Sequence, residues 1–249
     1  MKLEELVTYL DDYLRLEDFD DRSDNGLQVE GRREVRRVGF AVDACLEAFE
    51  KAEAAHLDAL IVHHGLFWGE PLMVTGSHRR RLQVLLGGDI SLYTVHQPLD
   101  AHPEVGNNVE LARLLGLKPT GQFGLSGGQL VGLLTTPGAD LPLEELGRRL
   151  GQCLGVAASV WPFRKAARNI GVLSGYAMGV LDEAIESGLE ALVCGELGHT
   201  AYHPAKEAGL GVVLGGHYAT ETVGLKALMR HLEARYDLGT LWIEVPTGL

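Results

Sequence analysis

The chain has 249 residues, of which 46% are hydrophobic and 22% charged, enough for one large or two modest globular domains with a full core. Its net charge of −12 argues against a nucleic-acid or anionic-membrane partner, because phosphate binding rests on basic surface. Cys45, Cys153 and Cys194 are isolated and odd in number, which argues against a disulfide framework or a thiolate zinc site and fits a reducing, cytoplasmic setting.

In chain order, Leu3, Leu6, Val7, Leu10 and Leu14 keep helical spacing and predict a helix over 2–14. The start, Met1-Lys2-Leu3-Glu4-Glu5-Leu6, is acidic and does not read as a signal peptide. No apolar run reaches the ~18 residues of a membrane span. Residues 20–31 read as a polar loop around Asp24-Asn25-Gly26. A strand over 35–43, a helix over 44–55 and a strand over 57–62 follow, the last ending at His63-His64-Gly65. A helix at 79–86, a strand over 90–95 ending at His96, and a helix at 107–115 complete the first half. The second half reads as strands at 129–135, 167–174, 191–194, 211–214 and 241–245. Helices at 143–154, 179–187, 199–208 and 221–234 alternate with them. Alternating strands and helices predict a layered α/β fold.

Residues 38–64 align without a gap to 170–196, an offset of 132. His96 and Asp100 align with His217 and Glu221, an offset of 121, so His-x3-acid occurs once in each half. The expectation is two similar α/β modules related by internal duplication, 1–124 and 125–249, with a metal site in the cleft between them. Ligand sites in open α/β sheets lie beyond the carboxyl ends of strands.

Three clusters follow apolar runs: His63-His64, His96 through Asp100, and His217 through Glu221. Imidazole and carboxylate together suit zinc, iron, manganese or nickel. His63, His64, Asp100, His217 and Glu221 make five donors, too many for one tetrahedral ion and suited to two divalent ions sharing a bridge. Adjacent strand residues point to opposite faces. Convergence of both imidazoles therefore predicts a strand break between them, with Gly65 supplying unusual backbone angles. His96 reads either as a ligand or as a group orienting Asp100. Glu196 and His203 each read either as a group orienting a ligand or as a proton carrier.

Other features have plainer readings. Gly127-Gly128 and Gly215-Gly216 read as turns, and Arg79-Arg80-Arg81 as a solvated helix face. Phe67 and Trp68 read as packing or interface residues, with stacking on a flat substrate as the alternative. No Gly-x-Ser-x-Gly elbow and no GxxxxGK[ST] loop is present.

With these residues in place the chain resembles the Nif-three-like family, many members of which carry the label GTP cyclohydrolase 1 type 2 homologue. The resemblance spans the chain. It rests on Asp24 through Val29, His63-His64-Gly65, His96 through Asp100, Gly195-Glu196 and Gly216 through Glu221. It implies two metals on the same five ligands, two similar α/β domains, and a toroidal homohexamer whose metal sites face the interior. The tract 121–169 is too short for the extra domain of larger members, so the resemblance is to the compact form. Two function classes follow: a metal-dependent hydrolase acting on a nucleotide or phosphoester, with Glu196 or His96 moving protons, and a non-catalytic metal carrier, sensor or ring scaffold.

Overall fold

The computed structural model describes residues 1–249. The elements in order are α1 (Leu3–Leu14), β1 (Gly26–Val29), β2 (Arg37–Asp43), α2 (Leu46–Ala54), β3 (Ala59–His64), α3 (Gly76–Gly88), β4 (Ser91–Thr94), α4 (Gln97–Ala101) and α5 (Asn107–Leu115). Then come β5 (Lys118–Ser126), β6 (Gln129–Thr136), β7 (Leu141–Pro142), α6 (Leu143–Leu154), β8 (Ser159–Trp161), β9 (Ala166–Ala167) and β10 (Ile170–Tyr176). The last are α7 (Leu181–Glu186), β11 (Ala191–Glu196), α8 (Tyr202–Ala208), β12 (Gly211–Leu214), α9 (His217–Arg235) and β13 (Gly239–Trp242). The α/β class expected from the sequence is the fold observed. No helix is long and apolar enough to cross a membrane.

The chain forms two compact units. The first is Met1–Leu99 with Leu225–Val245, and the second is Asp100–Gly224 with Pro246–Leu249. These bounds differ from a division at residue 124, for two reasons. Leu111, Ala112 and Leu115 of α5 are buried in the second unit's core. Near the C-terminus, β13 pairs in parallel with β2 and so completes the first unit's sheet.

In the first unit the sheet order is β1-β4-β3-β2-β13. β4, β3, β2 and β13 run parallel, and β1 is an antiparallel edge. Strands covered on both faces read as unbroken apolar runs, and Val38, Phe40, Leu60, Ile61 and Leu92 are fully buried. Ala48, Phe49 and Ala52 of α2 pack with Leu60, Val62 and Leu85. α1 buries its Leu3, Leu6, Leu10 and Leu14 stripe. It stops at Arg15, which takes a left-handed conformation and returns its N–H to the last turn.

In the second unit the order is β5-β6-β10-β11-β12-β8. β10, β11 and β12 are parallel, and β6 and β8 flank them antiparallel. Each unit thus contains a run of three parallel strands, β2-β3-β4 in the first and β10-β11-β12 in the second, with an antiparallel edge strand beside the third. Their carboxyl ends carry Asp43, His64 and Thr94 in one unit, and Tyr176, Glu196 and Leu214 in the other.

Four local expectations need correction. The 20–31 tract contains β1, which its short length and polar turns conceal. β3 continues through both His63 and His64 rather than breaking between them. α9 starts at His217, which places His217 and Glu221 one turn apart on a helix. β5 lies where the sequence predicts no strand, because it contains Pro119, Gly121 and Gly124 and lacks alternation.

Phe49 is fully buried between α2 and the sheet. Phe49→Ala is expected to lower unfolding free energy by about 3–5 kcal/mol, as other large core truncations do. Urea denaturation checks it, and a loss under about 1 kcal/mol would contradict this packing.

Candidate metal centre

In the first unit, β3 ends in two imidazoles that are fixed from opposite sides. β2 and β4 flank β3. His63 Nδ1 donates to the Val95 carbonyl just after β4, at 2.9 Å. His64 Nδ1 donates to Asp43 Oδ1 at the end of β2, at 2.8 Å. His96 Nδ1 donates to both carboxylate oxygens of Asp21, at 3.0 and 2.9 Å. The three ring centroids lie 4.8, 5.1 and 5.7 Å apart. One ligand nitrogen from each falls within 4.8 Å of the others. A histidine whose Nδ1–H is held by a carbonyl or carboxylate presents Nε2 as its coordinating atom, in a fixed direction. The convergence needs no break in β3, because the anchors to left and right tilt the rings together.

The tract 21–28 clasps this arrangement. Asn25 Oδ1 accepts the His96 N–H at 2.7 Å, and Asn25 Nδ2 donates to Asp21 at 3.0 Å. Burial acts to raise the Asp21 pKa. The hydrogen bond and charge of His96, the Asn25 amide and the Gln97 N–H outweigh it, holding the carboxyl at about 2. Asp21 is therefore a carboxylate throughout the neutral range. Gln28 Oε1 accepts the N–H groups of Leu66 and Phe67, at 2.7 and 3.3 Å. Its Nε2 donates to the Asp24 and Phe67 carbonyls. Gly65 is required by this close approach and not by its backbone angles. A Cβ there would collide with Thr94 Oγ1 and lie 2.5 Å from the Gln28 amide. Trp68 lies edge-on to His96 at 5.1 Å, with Nε1 donating to the Gly65 carbonyl.

In the second unit, His217 and Glu221 share the first turn of α9. His217 Nδ1 donates to Glu196 Oε1 at 2.9 Å, and its Nε2 lies 3.1 Å from Glu221 Oε1. Two ligands at ~2.1 Å from one ion, subtending ~100°, sit about 3.2 Å apart, so this pair is spaced as two ligands of one ion. Glu221 is buried, whereas Glu196 is 43% exposed. Gly175 leaves room beside them. A Cβ there would collide with Glu221 Oε1 and stand 3.3 Å from His217 Nε2, and φ is +62°. Asp100 is nearly buried, and its Oδ1 accepts from Ser174 Oγ at 2.7 Å and Asn107 Nδ2 at 2.9 Å. Asn107 Oδ1 in turn accepts the Gly224 N–H at 2.8 Å.

The first unit thus gathers His63, His64 and His96, and the second gathers His217, Glu221 and Glu196. His203 is exposed and meets the Tyr202 ring edge-on. Arg79 and Arg80 are exposed on α3. Phe67 packs on the core, whereas Trp68 borders the histidines. Gly127-Gly128 make the turn between β5 and β6. The anchors Asp21, Asp43, Ser174 and Asn107 do not stand out in the sequence, and Asn25 and Gln28 lie in the Asp24–Val29 motif without showing that they anchor. For Asp43 a signal exists, since it ends an apolar run in register with His64.

A sequence profile for Duf34/NIF3 (NGG1p interacting factor 3) matches residues 1–247. The chain belongs to the Duf34/NIF3 family. Among its relatives, the Pyrococcus abyssi protein named GTP cyclohydrolase 1 type 2 homolog is 42% identical, with each chain fully covered. The crystal structure of TTHA1606 from Thermus thermophilus matches with a TM-score of 0.91 and 46% identity over the whole of both chains. Reduced HcgD from Methanocaldococcus jannaschii matches at 0.87 and 27% identity over 98% of each chain. The Duf34/NIF3 chain carries candidate His/Glu metal-ligand groups.

The Gly175 gap gives a direct check. Gly175→Ala is expected to weaken metal retention about tenfold or more while thermal stability stays within a few degrees. Metal titration of both proteins measures it. Equal retention would mean that the space beside Glu221 is not part of a metal site.

Proposed function

We propose that this Duf34/NIF3 protein is a metal-dependent hydrolase. In this reading His63, His64, Asp100, His217 and Glu221 hold two divalent cations: zinc, iron, manganese or nickel. The observation that carries it is the anchoring of His63, His64 and His217 through Nδ1 to a carbonyl or carboxylate. Fixed imidazoles and a buried carboxylate form a donor set that suits first-row divalent ions. Such ions supply Lewis-acid polarisation of a substrate oxygen and ease the ionisation of water near neutral pH.

The chain's own residues have separable tasks. Asp21, Asp43 and Glu196 keep three imidazoles in one tautomer and raise their basicity as ligands. Ser174 and Asn107 fix the Asp100 carboxylate. His96, held at Nδ1 by an ionised Asp21, is suited to accept a proton at Nε2. Glu196, being part exposed, is suited to exchange protons with solvent. The name shared by the relatives supports a nucleotide base as one substrate class, opened by hydrolysis, and phosphoesters are the other.

The same reading takes the two units as products of duplication, supported by the repeat offset and the recurring three-strand order. Assembly as a homohexameric ring rests on the family resemblance, and a cytoplasmic setting on the three free cysteines. The exposure of Glu196 and His217 favours a second reading, a carrier or sensor that exchanges its metal. Metal that leaves on brief dialysis would favour that reading over catalysis.

Turnover of a nucleotide and phosphoester panel by the metal-loaded protein tests the first reading. His63→Ala and Glu221→Gln are each expected to lose activity by about 100-fold or more while remaining folded. Unchanged turnover in both variants would refute it.

A further inference from the structure

Helix α3 opens without a cap. No side chain bonds its first turn, and no acidic residue lies in that turn. The first helical N–H to find an acceptor is that of Arg79, which bonds the Thr75 carbonyl. The N–H groups of Gly76, Ser77 and His78 therefore stay open, backed by the positive end of the helix dipole. A methyl group built on Gly76 would meet nothing within 4 Å, so the mouth of the helix is accessible. Such a terminus suits an anion, although water alone would also serve it.

Two side chains of the same helix favour the anion. His78 is only 5% exposed, and neither of its ring nitrogens has a hydrogen-bond partner. Arg81, three residues on and on the same face, is partly buried, and its Nε is sealed from solvent without a partner. Buried polar atoms are almost always bonded, so these three orphaned nitrogens call for an acceptor from outside the chain. A guanidinium is always charged and only donates, which makes that acceptor an anion. Helical side chains lean back toward the N-terminus, which brings His78 and Arg81 over the turn with the open N–H groups. Arg79 and Arg80 face solvent, so the solvated face expected from the sequence covers only part of the arginine run.

The place of this turn in the fold gives it a use. β3 and β4 are parallel and α3 is the crossover between them, so its N-terminus lies toward the carboxyl end of β3, which carries His63 and His64. Phe67 meets His78 edge-on at 5.7 Å, while its neighbour Trp68 lies 6.1 Å from the His64 ring. We propose that the opening turn of α3, with His78 and Arg81, binds the phosphate group of a phosphorylated small-molecule substrate. This narrows the substrate class of the proposed hydrolase and rests on that reading for its purpose only. The open N–H groups, His78 and Arg81 stand without any metal.

Calorimetry with inorganic phosphate tests the site on the full chain, before and after chelator treatment, with metal content measured on each sample. Phosphate is expected to bind in both, adenosine 5′-monophosphate to displace it, and adenosine not to. Arg81→Met is expected to weaken phosphate about tenfold or more with metal content unchanged, the size of a lost charge-assisted hydrogen bond. Arg80→Met removes the same charge from the solvated face and is expected to change binding less than about threefold. His78→Phe, with the same expected loss, serves if Arg81→Met misfolds. No phosphate binding at millimolar concentration, undiminished binding in a folded Arg81→Met or His78→Phe, or equal losses in the Arg80 and Arg81 variants would each overturn the site. Failure of the monophosphate to displace phosphate, or displacement by adenosine, would do the same. Binding that vanishes with the metal would place the phosphate on the ions and refute the α3 site alone. Binding that persists in a protein that never retains metal refutes the metal centre alone.

Discussion

The candidate metal-ligand groups of both units depend on one repeated interaction: an imidazole held at Nδ1 by an acceptor that cannot move. Val95, Asp43, Asp21 and Glu196 supply those acceptors for His63, His64, His96 and His217. Val95 follows a strand, and Asp43 and Glu196 end strands, so the parallel sheets set their positions. An unanchored histidine would sample several rotamers and two tautomers, and would lose that freedom on binding an ion. Here folding has already imposed the loss. The buried cores under β2–β4 and β10–β12 therefore bear on function, because they hold the acceptors still.

The tract 21–28 does for the first unit's histidines what regular structure does elsewhere. It has little secondary structure beyond the start of β1, yet Asp21, Asn25 and Gln28 bind the backbone or side chains of Leu66, Phe67, His96 and Gln97. The burial of Asp21 is costly for a carboxylate, and donors from His96, Asn25 and Gln97 offset that cost. Gly65 and Gly175 play matching parts in the two units. Each leaves a space that a methyl group would fill, one beside Gln28 and one beside Glu221.

Much of this is legible in the sequence, and the reasons are physical. Strands buried on both faces give unbroken apolar runs, so the sequence predicts 211–214 with its true limits and 57–62 within two residues. Helices 107–115 and 143–154 have strong periodicity and match as well. The histidine clusters stand out because paired imidazoles after an apolar run are poor packing residues. Of the acceptors only Glu196 stands out, and not as an anchor. Asp21 meets a partner 75 positions away, and an aspartate in a polar loop looks like any solvated one. The convergence of His63 and His64 points to a strand break when read from the sequence, because alternation along a strand says nothing of anchors on its neighbours. The unit boundary is hidden for a similar reason: β13 rejoins β2 from the far end of the chain.

The measurement that tests the central claim most directly is metal content per chain, by mass spectrometry on untagged protein purified without chelator. About two tightly held divalent ions per chain is the predicted result. No bound metal, even after addition of zinc, manganese or iron, would contradict it, and the anchored histidines would then need a purely structural explanation.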